Sequence, residues 1–563
     1  MVNLKAKPFY LSDEAVKWVQ DTISGMTIEE KIGQLFINLF VDRDPAYVKE
    51  LIDKYHIGGA RYMPANAEEV FELTQTLQNA SKIPMLVAAN CDSGGDGACK
   101  DGTYVASAAQ VEATGDVEVA YNTGYVSGKE ATAIGCNWNF DPCADILMNW
   151  RNTIVNTRAY GNTIEPVIKH TNAYIKGLRQ SNIASCVKHF PGDGTEERDQ
   201  HLVLGVNELS CDEWDATFGK VYESVIEEGV MTIMAGHIAL PAYSQKLVPG
   251  MTDEEILPAT LAPELITGLL REKLEFNGLV VTDASHMIGM AAAMKRKDYV
   301  PAAIAAGCDM FLFFNDHEED FNFMLEGYKN GVITEERLQD ALARILGLKA
   351  SLNLHTKKQE GTLVPDKEVL QVVGCEEHLA MAKEAADKGV TLVKTKVELP
   401  IKPSTHKRIK VYTLYGEMGG IHGNTNTSEQ IIIEELEKAG FEVTLNDGNS
   451  REKGKTAEYS QNWDAALVFA DVRGYAVENN VRIKWKMAMS NEIPWYIHEV
   501  PTVFVSLNYT THLTDVPMVK TYINAYGNTR EIIRQTIKKI MGESEFKGSF
   551  NDNVFCNKWE TRR

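Results

Sequence analysis

Asp199 and His201 close the stretch "KHFPGDGTEERDQH", residues 188–201, which crowds four carboxylates and four basic groups into fourteen residues. In an extended segment, residues two apart point to the same side. A carboxylate beside an imidazole can hold its tautomer and raise its pKa, giving an acid/base pair near neutral pH. Glu196, Glu197 and Arg198 read as a solvated part of the same loop. Lys188 and His189 end an apolar run, so their side chains are held rigidly and suit binding. Asp283, in "VVTDASHM", directly follows another apolar run and has a small residue beside it. It either faces a ligand or caps the helix that follows. Paired carboxylates could also take a divalent metal, but Lys188 and His189 already bring positive charge, and no CxxC or HExxH motif is present. The set reads as free of metal and cofactor.

The elements that must position these residues follow from the hydrophobic pattern. Eight short apolar runs read as strands: 32–40, 58–64, 84–92, 136–145, 183–190, 230–237, 278–284 and 308–314. Helical periodicity lies between them, over 66–81, 117–134, 163–180, 208–228 and 334–350. Near-continuous apolar strands flanked by helices indicate a parallel sheet covered on both faces. Eight of them predict a closed (β/α)8 TIM-like barrel over residues 1–350. A doubly wound open sheet is the other arrangement. The polar residues Asp92, Asp145, Lys188, His189, His237 and Asp283 each fall at a strand's C-terminal end, and Asn315 and Asp316 follow the last strand. In a barrel these ends converge on one face, where active sites are built.

Residues 351–385 read as a linker with a helix leading out of it. A second α/β sandwich domain then spans 386–563, with strands at 408–416, 441–447, 464–472, 501–509 and 520–527. The segment "GEMGGIHGNTNTS" (416–428) after its first strand could cradle an anion at a helix N-terminus, but lacks GxGxxG spacing and reads as an ordinary loop.

A chain of 563 residues and net charge −21 disfavours nucleic acid and an anionic membrane surface as partners. No apolar run reaches the length of a membrane span. Nine cysteines are scattered without paired spacing. With no apolar leader at the N-terminus, they point to reduced thiols in a cytoplasmic protein.

Taken in order, these motifs resemble glycoside hydrolase family 3, in its β-N-acetylglucosaminidase branch. That branch carries Lys-His-Phe-Pro-Gly-His-Gly, a short spacer and Asp-Ser-His. Here Lys188, His189, Phe190, Pro191, Gly192, Gly194, Asp199 and His201 match, while Asp193 replaces a histidine and Gln200 a serine. The resemblance implies that His201 is the general acid/base, oriented by Asp199, and that Asp283 is the nucleophile. It implies that Lys188, His189, Asp92, Asp145, Arg158 (in "NTRAYG") and His237 (in "MTIMAGHIALP") contact the sugar. "ANCDSGGDG" departs from the family's Asp-x-Glu-Gly-Gly pattern, with Asp92 as the sugar-binding acid the resemblance offers there. The implied activity is a retaining exo-β-N-acetylglucosaminidase acting on a terminal N-acetylglucosamine of a saccharide or glycoconjugate. Inorganic phosphate is a conceivable second acceptor, because a neutral imidazole does not repel an anion. A β-glucosidase of the same family and a non-catalytic sugar-binding protein are the alternatives.

Overall fold

All eight apolar runs of the first part become strands in the computed structural model, which describes residues 1–395, 398–415, 427–447, 456–472, 480–485 and 492–563. They are β1 (Phe36–Phe40), β2 (Gly59–Tyr62), β3 (Leu86–Ala89), β4 (Trp138–Asn139), β5 (Ala184–Phe190), β6 (Thr232–Ala235), β7 (Leu279–Ala284) and β8 (Met310–Leu312). Each pairs in parallel with its sequence neighbour, and β8 returns to β1 to close the barrel. Phe36 lies opposite Phe311 across that seam, and Ile37 opposite Gly59 on the other side. The open-sheet alternative is therefore excluded. All seven residues of β5 are buried, as expected of a strand with a packed interior on one face and helices on the other. Its register against β6 shifts between Val187 and Phe190, where Lys188 and His189 sit.

The helices fall where the periodicity puts them, at Ala67–Ala80, Val117–Ala133, Ile164–Arg179 and Glu335–Ser351. Reciprocal capping boxes start two of the helical stretches, Asn66 with Glu69 and Ser210 with Glu213. The stretch 208–228 forms helix from Cys211, with a π-helical segment at Asp215–Gly219. Inside the helix Glu335–Ser351, the fully buried Lys349 Nζ donates to Gln34 Oε1 at 2.6 Å. Gln34 Nε2 in turn donates to the His56 carbonyl at 2.9 Å.

The chain forms two compact units. The barrel unit comprises Met1–Tyr104, Ala120–Ile146 and Thr163–His378; the second comprises Val105–Val119, Leu147–Asn162 and Leu379–Arg563. Two segments that the sequence reading groups with the barrel thus fold with the second unit. The stretch read as a linker contains the helix Leu354–Glu360, the 3-10 turn Lys367–Val372 and the start of the helix Glu376–Gly389.

The second unit is built on a six-stranded sheet: β9 (Thr391–Lys394), β10 (Arg408–Tyr415), β11 (Glu442–Leu445), β12 (Ala465–Asp471), β13 (Thr502–Ser506) and β14 (Thr521–Asn524). Their spatial order is β9-β14-β13-β12-β10-β11, with β9 antiparallel and the rest parallel. The five expected strands are present, and β9 is the addition. The early segments are tied into this unit. Ser107 Oγ donates to the Tyr526 carbonyl at 3.0 Å, Tyr509 Oη to the Thr153 carbonyl at 2.9 Å, and Asn553 Nδ2 to the Leu147 carbonyl at 2.6 Å. Trp150 packs with Val472, Val481, Tyr509 and Cys556. Residues 416–426, which hold most of the "GEMGGIHGNTNTS" segment, lie outside the described residues. Among the described residues, no helix is long and apolar enough to cross a membrane.

Candidate active site

Asp283, at the exit of β7, has a side chain 13% exposed in a setting rich in imidazoles. Burial raises its carboxyl. The imidazoles of His189, His237 and His201, with the Ala284 N–H donating at 2.7 Å, outweigh burial and hold it below its ordinary value. It is therefore an ionised carboxylate near neutral pH, and the N–H it accepts is that of the very next residue. His189 Nε2 lies 3.9 Å from Asp283 Oδ2.

His189 is itself fixed from behind. Its Nδ1 lies 2.7 Å from Asp145 Oδ2, and its backbone N–H donates to Asp145 Oδ1 at 3.1 Å. Asp145 also accepts the Asp193 N–H at 2.9 Å. Both Asp145 oxygens are thus engaged by protein groups, its side chain is 1% exposed, and it orients His189. The same holds for His237. Its Nδ1 meets Thr260 Oγ1 at 2.9 Å and its Nε2 meets the Ala284 carbonyl at 2.9 Å. A carbonyl can only accept, so Nε2 carries the proton and Nδ1 accepts from Thr260. Burial lowers the pKa of His237 and keeps the ring neutral. His237 is a prop beneath the Asp283 segment, with both ring nitrogens occupied.

Lys188 points from β5 into a group of acids. Its Nζ is 2.7 Å from Asp141 and 3.6 Å from Asp92. Asp141, at the exit of β4, is absent from the sequence reading, which took Asp145 from the same run. Burial, reinforced by Asp92 beside it, pushes the Asp141 carboxyl well above its ordinary range against the pull of Lys188. The Cys143 thiol reaches Asp92 Oδ1 at 3.5 Å. Two overlapping sets, Cys143–Asp145–His189 and Asp92–Asp141–Cys143, each bring three ligand atoms within 4.8 Å of one another. A divalent ion there would have to displace the His189–Asp145 pair or meet the Lys188 ammonium.

The loop after β5 brings the dyad. His201 Nδ1 lies 2.7 Å from Asp199 Oδ1, which also accepts the His201 N–H at 2.8 Å. Asp199 is 1% exposed and His201 19%, so the carboxylate is shielded and the imidazole is partly open to solvent. The His201 carbonyl accepts from the Ile288 N–H at 3.1 Å, five residues beyond Asp283, so both segments share one rim. Glu196 departs from the solvated reading. It accepts the Val206 N–H at 2.5 Å and pairs with Arg198, bracing the loop, while Glu197 is exposed as expected. Asp316 caps the helix His317–Lys329 by accepting from the Glu319 N–H, and the Asn315 N–H donates to Asp320. Arg158 lies in the turn Asn156–Arg158, a segment of the second unit.

One face of the barrel thus holds an ionised carboxylate, an imidazole–carboxylate dyad, a rigid Lys–His pair and further acids that hydroxyls could bond. This set can perform acid/base and nucleophilic chemistry on a polyhydroxylated ligand.

Known proteins bear on this arrangement. The family described as "Glycosyl hydrolase family 3 N terminal domain" matches residues 27–348. A "Beta-N-acetylglucosaminidase/beta-glucosidase" of Cellulomonas fimi is 40% identical over 567 aligned positions, covering 100% of both chains. The structure of a "Beta-glucoside phosphorylase BglX" superposes with a TM-score of 0.92 at 37% identity, over 99% of each chain. A family 3 β-N-acetylglucosaminidase from Paenibacillus sp. str. FPU-7 shares the fold, with a TM-score of 0.80 at 24% identity over 93% of this chain and 98% of its own.

Proposed function

Because the chain belongs to glycosyl hydrolase family 3 and is a glycoside hydrolase of β-glycosides, we propose that it is a retaining exo-β-N-acetylglucosaminidase. Asp283 attacks the anomeric carbon and forms a glycosyl-enzyme intermediate while the aglycone leaves. His201 gives the departing oxygen its proton, then removes one from the incoming acceptor. Asp199 holds Nδ1–H of His201, so Nε2 exchanges the proton. Lys188, His189 and Asp92 bind sugar hydroxyls, with Asp141 and Asp145 fixing the first two. The observation that carries this reading is the 2.7 Å Asp199–His201 pair on the rim shared with the ionised Asp283.

Most retaining enzymes use a second carboxylate as acid/base. An imidazole, neutral after giving up its proton, does not repel an anionic acceptor, so inorganic phosphate can replace water. The similarity to a β-glucoside phosphorylase supports this second outcome. The dual name of the Cellulomonas fimi relative supports glucosides as the competing substrate class.

Relative kcat/KM for p-nitrophenyl N-acetylglucosaminide and glucoside, each with and without phosphate, tests both points. The proposal expects the N-acetylglucosaminide to be preferred. A glucoside preference of about tenfold, or about 1.4 kcal/mol in the transition state, would turn the assignment to β-glucosidase. A sugar 1-phosphate product identifies phosphate as acceptor.

A further inference from the structure

Gln200 separates the two members of the dyad, and it points the other way. Its side chain is buried. Gln200 Oε1 accepts the backbone N–H of His237, at the exit of β6, at 2.7 Å. Its Nε2 donates to Asp193 Oδ2 at 3.4 Å. Its carbonyl accepts the Gly289 N–H at 3.1 Å, in the short helix Ile288–Ala291 after β7. One residue therefore joins the exits of β5, β6 and β7. The fit is close: a Cβ on Gly236 would come within 3.3 Å of Gln200 Oε1, and one on Gly289 within 3.0 Å of the Gln200 carbonyl oxygen. Asp193 continues the link, because its N–H bonds Asp145, which holds His189 against Asp283. The two positions where the chain departs from the family's motif, Asp193 and Gln200, thus bond each other.

We infer that Gln200 is a positioning residue: with Asp193 as its partner, it locks the acid/base loop to the exits of β6 and β7 and so sets the reach of His201. This rests on His201 being the acid/base. It adds that the amide's two-sided bond, an acceptor toward His237 and a donor toward Asp193, is what the proton transfer depends on.

The test compares Gln200→Ala with wild type on two glycosides of the same sugar, one with a 2,4-dinitrophenyl leaving group and one with an unactivated sugar aglycone. Misplacing a catalytic group by an ångström costs up to about a hundredfold. Gln200→Ala should lose roughly tenfold to a hundredfold in kcat/KM on the unactivated glycoside and stay near wild type on the activated one. Equal losses on both would overturn the inference. The exchanged pair decides independently of whether the alanine variant folds. Gln200→Glu sets two carboxylates against each other and should lose activity on the unactivated glycoside. Adding Asp193→Asn restores a donor facing an acceptor and should recover it. No recovery in that double variant would also overturn the inference. His201→Ala, run alongside, separates the two readings. If it loses equally on both glycosides, the acid/base assignment and this inference fall together. If only His201→Ala discriminates between leaving groups, this inference alone falls.

Discussion

Asp283 and His201 sit in different surroundings, and the roles proposed for them follow from that difference. Asp283 sits among three imidazoles that hold its carboxyl below the ordinary value despite burial. Its ionisation therefore survives to lower pH than that of a free aspartate. Asp283→Ala should remove nearly all turnover, and a 2-fluoro sugar with a good leaving group should label Asp283 in the wild type. Activity persisting in the variant, with the label on another carboxylate, would refute the nucleophile role. His201 holds the shielded Asp199 carboxylate on Nδ1, which fixes the ring's orientation and leaves Nε2 to face a ligand. His201→Ala should cost on the order of 10²–10⁴-fold on substrates with poor leaving groups and far less on activated aryl glycosides. Asp199→Ala should follow the same trend and add little in the His201→Ala background, since the carboxylate acts through the ring. Additive losses in the double variant would show that Asp199 acts separately.

At the scale of elements, the barrel strands were legible because both of their faces are covered, which leaves an unbroken apolar run with polar residues only at its exit. That rule also located Asp283, Lys188 and His189. It could not choose within a run: "NFDPCAD" carries Asp141 and Asp145, and only the fold shows that one pairs with Lys188 and the other with His189. Gln200 stood out only as the replacement of a serine, because its bonds to His237 and Gly289 reach segments far along the chain. Strand β9 escaped notice because it is four residues long and mostly half-buried, so it shows no continuous apolar run. The helix Glu335–Ser351 carries its own test. Burial lowers the Lys349 pKa from 10.5 to about 7. Between those values the unfolded chain binds a proton that the folded one lacks, so stability rises with pH there. The penalty is fully present below about 7 and gone above 10.5. At its largest it corresponds to roughly 5 kcal/mol, against which the loss of a donor to Gln34 would cost about 1–3 kcal/mol. Lys349→Met should therefore be more stable than wild type at pH 6, and the difference should shrink as pH rises toward 10. Denaturant unfolding at three pH values checks this; a pH-independent difference would mean that Lys349 stays charged when folded.

Over the whole molecule, the division into a barrel and a second α/β part was readable, but not which residues belong to each. Local pattern reports helix or strand, whereas membership of a unit is decided by partners hundreds of residues away, as for Ser107 with Tyr526 and Thr153 with Tyr509. That interleaving has a consequence for biosynthesis. Segments 105–119 and 147–162 leave the ribosome long before Leu379, where the rest of their unit begins. At about 5–20 residues per second they wait some tens of seconds without the sheet that will cover them. The barrel's closing seam is also late, since β1 meets β8 only after Leu312 has been made. No single cut can separate the chain into two self-sufficient halves. A fragment ending at His378 should expose Ala109, Ala113 and Trp150, which pack against Tyr526, Tyr509 and Cys556 in the intact chain. It should aggregate or bind a hydrophobic dye, and a separately expressed 379–563 should restore it only when both are present during folding. A well-behaved, soluble 1–378 with a full barrel melting transition would show that the two segments do not need their later partners.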